Sequence, residues 1–91
     1  MGAPEGVILH GPHPNPFSSQ AALSFELPAP SAVRLVVYDV LGRAVAVLVD
    51  GEREAGRHEA GLDAVRLPPG TYFARLEAGG VVQTRRVTVV R

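Results

Sequence analysis

The stretch Thr71-Tyr72-Phe73-Ala74-Arg75-Leu76-Glu77-Ala78-Gly79-Gly80-Val81-Val82-Gln83-Thr84-Arg85-Arg86-Val87-Thr88-Val89-Val90 decides the fold. Its first part alternates with a period of two: Tyr72, Ala74 and Leu76 share one face, and Thr71, Phe73, Arg75 and Glu77 the other. Gly79-Gly80 supplies two adjacent positions at which φ > 0 costs nothing, as a two-residue hairpin turn requires. Val81–Val90 then pairs back, with Val87 and Val89 inward. The reading is an antiparallel hairpin.

The same pattern extends toward the N-terminus. Leu67-Pro68-Pro69-Gly70 reads as a turn. Arg57–Asp63 is a weak strand with Ala60 and Leu62 inward. Asp50-Gly51 is a turn signal, and Glu52–Gly56 a polar loop closed by Gly56. Ala44–Val49 reads as a strand, since six residues are too few for a stable isolated helix. Asp39–Gly42 is a turn in which Gly42 takes φ > 0. Ala32–Val40 is the strongest strand, rich in β-branched residues. Val33, Leu35 and Val37 share one face; Arg34, Val36 and Tyr38 share the other, which is therefore not fully polar. Pro28-Ala29-Pro30-Ser31 separates it from Ala22–Leu27, where Leu23, Phe25 and Leu27 oppose Ser24 and Glu26. In His10-Gly11-Pro12-His13-Pro14-Asn15-Pro16-Phe17 each proline removes an N–H donor, so this segment is no central strand. Phe17 is placed to plug one end of the core, and Val7-Ile8-Leu9 reads as a short edge strand.

The architecture predicted is all-β: an antiparallel immunoglobulin-like β-sandwich of six to seven short strands. Two sheets are required because several strands are apolar on one face only. The chain has 91 residues, enough for one domain. The domain is assigned to residues 7–91, with 1–6 as an artificial start or a linker. No cysteine is present, which excludes disulfides and thiolate metal sites. Nine basic residues, all arginine, balance nine acidic ones, so no net field steers nucleic acid or an anionic membrane toward the chain. No apolar run reaches the roughly 18–20 residues of a membrane span. Met1-Gly2-Ala3-Pro4 lacks the basic and apolar regions of a signal peptide; if a parent protein is exported, its signal peptide lies elsewhere.

Catalytic constellations are not found in the sequence. The serines stand outside any Gly-x-Ser-x-Gly context, and no nucleophile–base pair is evident. His10 and His13, with Asp39 or Asp63, form a conceivable two-histidine metal site, but two ligands rarely hold zinc without others, and solvated loop imidazoles are the simpler reading. His58 reads as a rim residue. Asp50, Glu52, Glu54 and Glu59 read as a solvated face rather than a glycosidase carboxylate pair. Gly79-Gly80 lacks the helix and lysine of a phosphate-binding loop. No enzyme activity, metal or cofactor is therefore expected. Phe73 is the one candidate for an exposed aromatic platform. Arg85, Arg86 and Arg91 make the last strand basic, either as protection of an edge or as a recognition strand.

Several segments recur together in a fixed order: Val7-Ile8-Leu9, His13-Pro14-Asn15-Pro16-Phe17, Val33-Arg34-Leu35, Tyr38-Asp39-Val40-Leu41-Gly42-Arg43, Gly56-Arg57-His58, Gly70-Thr71-Tyr72-Phe73 and the basic last strand. Over roughly residues 7–91 this resembles the C-terminal sorting domain of type IX secretion substrates. It is also similar to the immunoglobulin-like domain of the flagellar hook-capping protein. His13 stands where the sorting family prefers an aromatic, Ser18 where Asn is frequent, and Arg85 and Arg86 where Lys is common.

The resemblance implies a non-catalytic module at the C-terminus of exported enzymes and adhesins of certain Gram-negative bacteria. Such a module directs its cargo through the outer membrane. It is then removed by a sortase-like peptidase or stays to hold the cargo at the cell surface. The implied partners are the type IX translocon or sortase-like machinery and an upstream catalytic or adhesive domain, without nucleic acid or a transmembrane segment. The implied location is the outer-membrane-associated cell surface or the extracellular space.

Among the matching residues, Asn15, Pro16, Phe17, Tyr38, Asp39, Gly42, Arg43, Gly70 and Tyr72 are read as keeping the fold. Arg43 can pair with Asp39, and Tyr72 can bury its ring while placing its hydroxyl on a carbonyl at the rim. Gln83, Arg85, Arg86 and Arg91 are read as the exposed recognition signal, because an edge strand can offer its backbone while its side chains select the partner. The competing class is a carbohydrate- or protein-binding accessory module of a secreted enzyme, suggested by Phe73 with the two arginines beside it. A structural role like that of the flagellar cap is the third.

Overall fold

The computed structural model describes residues 6–65 and 67–90. The start or linker assigned to residues 1–6 lies outside them except for Gly6, and so does Arg91. Seven strands run in order: β1 Ile8–Leu9, β2 Gln20–Leu27, β3 Ser31–Tyr38, β4 Ala44–Arg53, β5 Gly56–Asp63, β6 Gly70–Ala78 and β7 Val81–Val89. They form two antiparallel sheets, β1-β2-β5 and β4-β3-β6-β7. The chain crosses between sheets at β2–β3, β4–β5 and β5–β6, the connectivity of an immunoglobulin-like sandwich.

Side-chain parity places the core between the sheets, as the alternation predicts. Leu23, Phe25 and Leu27 of β2 and Ala60 and Leu62 of β5 meet Val33, Leu35 and Val37 of β3, Tyr72, Ala74 and Leu76 of β6, and Val87 and Val89 of β7. All are buried. Truncating one large member such as Leu35 or Phe25 to alanine costs about 2–5 kcal/mol, a large share of the roughly 5–15 kcal/mol that holds a domain together. Phe17 closes one end at 2% exposure, as its position after the prolines suggests. Val36 points to the opposite face of β3 yet is only 1% exposed, where the register sets it between Val47 and Arg75.

The last hairpin matches its sequence reading. Gly79 and Gly80 have φ of +56° and +79°, the paired left-handed conformation that a two-residue turn needs and that side chains disfavour.

The Asp50-Gly51 reading is overturned. No turn occurs there: β4 runs on to Arg53, with Asp50 opposite Arg34 and Gly51 opposite Val33. Gly51 stays in the ladder at φ +156°. Hydrogen bonds to the neighbouring β3 outweigh the local turn preference, so the loop shrinks to Glu54 and Ala55. Asp50, Glu52 and Glu59 lie exposed on strands. β4 also carries two register shifts, opposite Leu35/Val36 and Val37/Tyr38, which bend it.

Candidate recognition surface

β7 is an edge strand, and its two faces have different roles. Val87 and Val89 fix the inward parity, so Gln83 and Arg85 share it; Val82, Thr84, Arg86 and Thr88 face outward. N-terminal to Val87, at Arg85 and Gln83, the inward positions no longer lie over the sandwich interior. They lie over β1 of the opposite sheet.

Gln83 and Arg85 hold β1 there. The Gln83 side-chain oxygen accepts the Leu9 N–H at 2.6 Å, and its amide NH2 donates to the Val7 carbonyl at 2.9 Å. Arg85 Nε donates to the Leu9 carbonyl at 2.8 Å. A neighbouring strand would satisfy these backbone groups in the same way. The two side chains therefore stand in for a strand and tie the sheets together along that border. Gln83 is half-buried rather than freely exposed as the sequence reading has it. A polar amide in register with the inward-facing Val87 and Val89 was the available sign of this role.

The Asn-Pro-Phe segment occupies the other half of the β7 edge. Asn15 Oδ1 accepts the Thr88 N–H at 3.0 Å, and its Nδ2 donates to the Arg86 carbonyl at 3.5 Å. Phe17 donates its N–H to the Thr88 carbonyl at 3.0 Å and accepts the Val90 N–H at 2.9 Å. Pro16 lies between them, and both the His13–Pro14 and Asn15–Pro16 bonds are cis. Thr88 was not singled out in the sequence, and nothing local to it signals a partner so far up the chain.

Most of the remaining motif residues are tied into local structure. Asp39 organises its turn: Oδ1 accepts the Leu41 and Arg43 N–H groups at 2.9 and 3.0 Å, and Oδ2 accepts Arg43 Nε at 2.8 Å. The backbone N–H of Arg43 is the largest cause holding the Asp39 carboxyl below its ordinary pKa; partial desolvation opposes this, and the Arg43 guanidinium and Leu41 N–H add to it. Gly42 sits at φ +82° and Gly70 at φ +152°, values that leave glycine as the unstrained choice. Tyr72 buries its ring and donates its hydroxyl to the Pro68 carbonyl at 2.5 Å, as its motif suggested. Tyr38, Phe73 and Arg86 stand in one cross-strand row on the outer face, with Phe73 37% exposed.

The histidines are separated. His10 Nε2 lies 2.5 Å from Glu26 Oε2, and His58 stacks on Phe25 with ring centroids 5.3 Å apart. His13 pairs its backbone with Ala22. Among the described residues no group of three or more metal-ligating side chains comes together, and no helix is long and apolar enough to cross a membrane.

No curated protein and no solved structure matches this chain. The family described as the secretion system C-terminal sorting domain matches residues 13–90. That span runs from the loop carrying Asn15 through the β7 edge it covers. The chain belongs to the secretion system C-terminal sorting domain family, the sorting tails of type IX secretion.

Proposed function

We propose that this domain is the non-catalytic delivery tail of an exported protein, carrying its cargo across the outer membrane by type IX secretion and retaining it at the cell surface. The match to the sorting family over residues 13–90 carries this reading. The parent's activity then resides in an upstream catalytic or adhesive domain, and residues 7–91 form the tail. The translocon or a sortase-like peptidase reads β7 together with the residues on its C-terminal side. Arg86, which projects from the outer face, and Arg91 are the partner-facing charges; Gln83 and Arg85 act on recognition by fixing β7 against β1.

The test is a reporter fused ahead of residues 1–91 in a type IX-competent host, with an intact export peptide. Surface-displayed reporter is the expected result. Reporter that accumulates in the periplasm refutes the assignment. Deleting Val87–Arg91 is expected to abolish display, and undiminished display would move the signal away from β7.

One observation favours a second reading, a carbohydrate-binding accessory module: the exposed Phe73 ring lies directly opposite Arg86, an aromatic platform beside a hydrogen-bond donor. Calorimetric titration with cell-wall and plant polysaccharides decides it. Heat that disappears in Phe73→Ala supports the module, and no heat with any glycan removes it.

A further inference from the structure

The outer edge of β7 is only half covered. Thr88 directs both its N–H and its C=O away from β6, to Asn15 and Phe17. The β6–β7 register continues without a shift to Val81. Antiparallel pairing alternates, so Arg86, Thr84 and Val82 direct their backbone groups outward as well. The Arg86 carbonyl is taken by Asn15. Among the described residues, the N–H and C=O of Val82 and Thr84 and the N–H of Arg86 have no protein partner.

Edges of this kind pair with other chains unless they are defended. The other edges are. β1 is filled by Gln83 and Arg85. β4 is bent by two register shifts and carries Asp50, Glu52 and Arg53. β5 presents the exposed charges of Arg57, Glu59 and Asp63. Along Val81–Thr84 the open part of β7 has neither device: these residues are uncharged and unbulged, Val82 is 50% exposed, and the outward charge enters only at its end, with Arg86.

We propose that a partner protein adds one extended strand to the β4-β3-β6-β7 sheet along Val82–Arg86. This rests on the sorting reading and specifies how the tail is read. Asn15 blocks the edge beyond the Arg86 N–H, so the docked strand is short and its register is bounded at that end. Residues opposite Val82, Thr84 and Arg86 share the outer face. The strand that fits is apolar opposite Val82 and acidic opposite Arg86, because neither Arg86 nor the adjacent Arg75 is paired with a carboxylate among the described residues. A second copy fits less well. Twofold pairing about Thr84 would set Arg86 against Val82 and bring Arg75 and Arg86 of both copies onto one face.

The test uses the reporter fusion with Thr84→Pro and Thr84→Val. Proline removes the outward N–H and obstructs pairing, and edge strands tolerate it where the N–H faces solvent; valine keeps the N–H. Thr84→Pro is expected to lower surface reporter about tenfold or more, and Thr84→Val to leave it near wild type. A paired variant, Val82→Lys with Thr84→Lys, defends the edge by charge without touching the core and is expected to reproduce the loss. Wild-type display by a folded Thr84→Pro variant overturns the proposal, as does wild-type display by the lysine variant if proline prevents folding. Failure of the wild-type fusion itself counts against the sorting reading instead. Sedimentation of the isolated chain as a dimer that Thr84→Pro converts to monomer overturns the partner strand in favour of a second copy.

Discussion

Gln83 reaches Leu9 across 74 positions of sequence and accepts its N–H at 2.6 Å, while the same amide donates to Val7. One side chain thus supplies both hydrogen bonds that a strand residue would make. Gln83→Ala is expected to release β1 and cost about 1–3 kcal/mol, from two partly buried hydrogen bonds at roughly 0.5–1.5 kcal/mol each. Gln83→Glu keeps the acceptor for Leu9 and loses the donor, so its cost is smaller. Urea denaturation gives the magnitudes, and hydrogen exchange at the Leu9 amide reports whether β1 has let go.

Asn15 does the equivalent for β7. Asn15→Ala leaves the Thr88 N–H without its side-chain acceptor and is expected to cost about 1 kcal/mol. Asn15→Asp retains an acceptor and is expected to cost less. Amide exchange at Thr88 should rise in the alanine variant while Leu76, deep in β6, stays protected. Equal acceleration at both amides would mean that Asn15 supports the whole sandwich rather than the edge.

Tyr72 separates ring burial from hydroxyl bonding. Tyr72→Phe keeps the buried ring and removes the bond to the Pro68 carbonyl, for an expected loss of about 0.5–1.5 kcal/mol. Tyr72→Ala also empties part of the core and is expected to cost about 3–5 kcal/mol, as aromatic truncations do. Thermal unfolding of the pair measures the difference. A phenylalanine variant as damaged as the alanine variant would refute the division.

Asp39 has its folded-state pKa lowered, chiefly by the Arg43 N–H. A carboxyl depressed by folding contributes stability above its ordinary value of 3.8, and that contribution is lost as pH falls through the lower folded value. The Leu41 and Arg43 N–H groups, which it accepts, are therefore expected to lose protection, measured relative to their intrinsic exchange rates, as Asp39 is protonated in acid. In Asp39→Asn that acid dependence should vanish. Amide exchange measured across the acid range checks both statements.

Much of the fold was legible because its determinants are local. Alternation at Leu23, Phe25 and Leu27, at Val33, Leu35 and Val37, and at Tyr72, Ala74 and Leu76 specifies which face of each strand is buried. Gly79-Gly80 specifies its turn. The Asp39–Arg43 contact and the Tyr72 hydroxyl were readable too, since each spans four residues. Asp50-Gly51 misled for the converse reason: its turn chemistry is local, but the neighbouring β3 offered a ladder that only the assembled sheet contains.

The sequence by itself determined that this is an all-β sandwich with a basic last strand, and the ordered motifs indicated its family. Tertiary structure alone decided what that last strand can present. Parity says which face a side chain takes but not what lies opposite, and the partners of β7, Leu9 and Asn15, come from 70 or more residues upstream. Folding brings them together along one edge. It commits Gln83 and Arg85 to holding β1, lets Asn15 and Phe17 cover the C-terminal half of β7, and leaves the backbone of Val82 and Thr84 open.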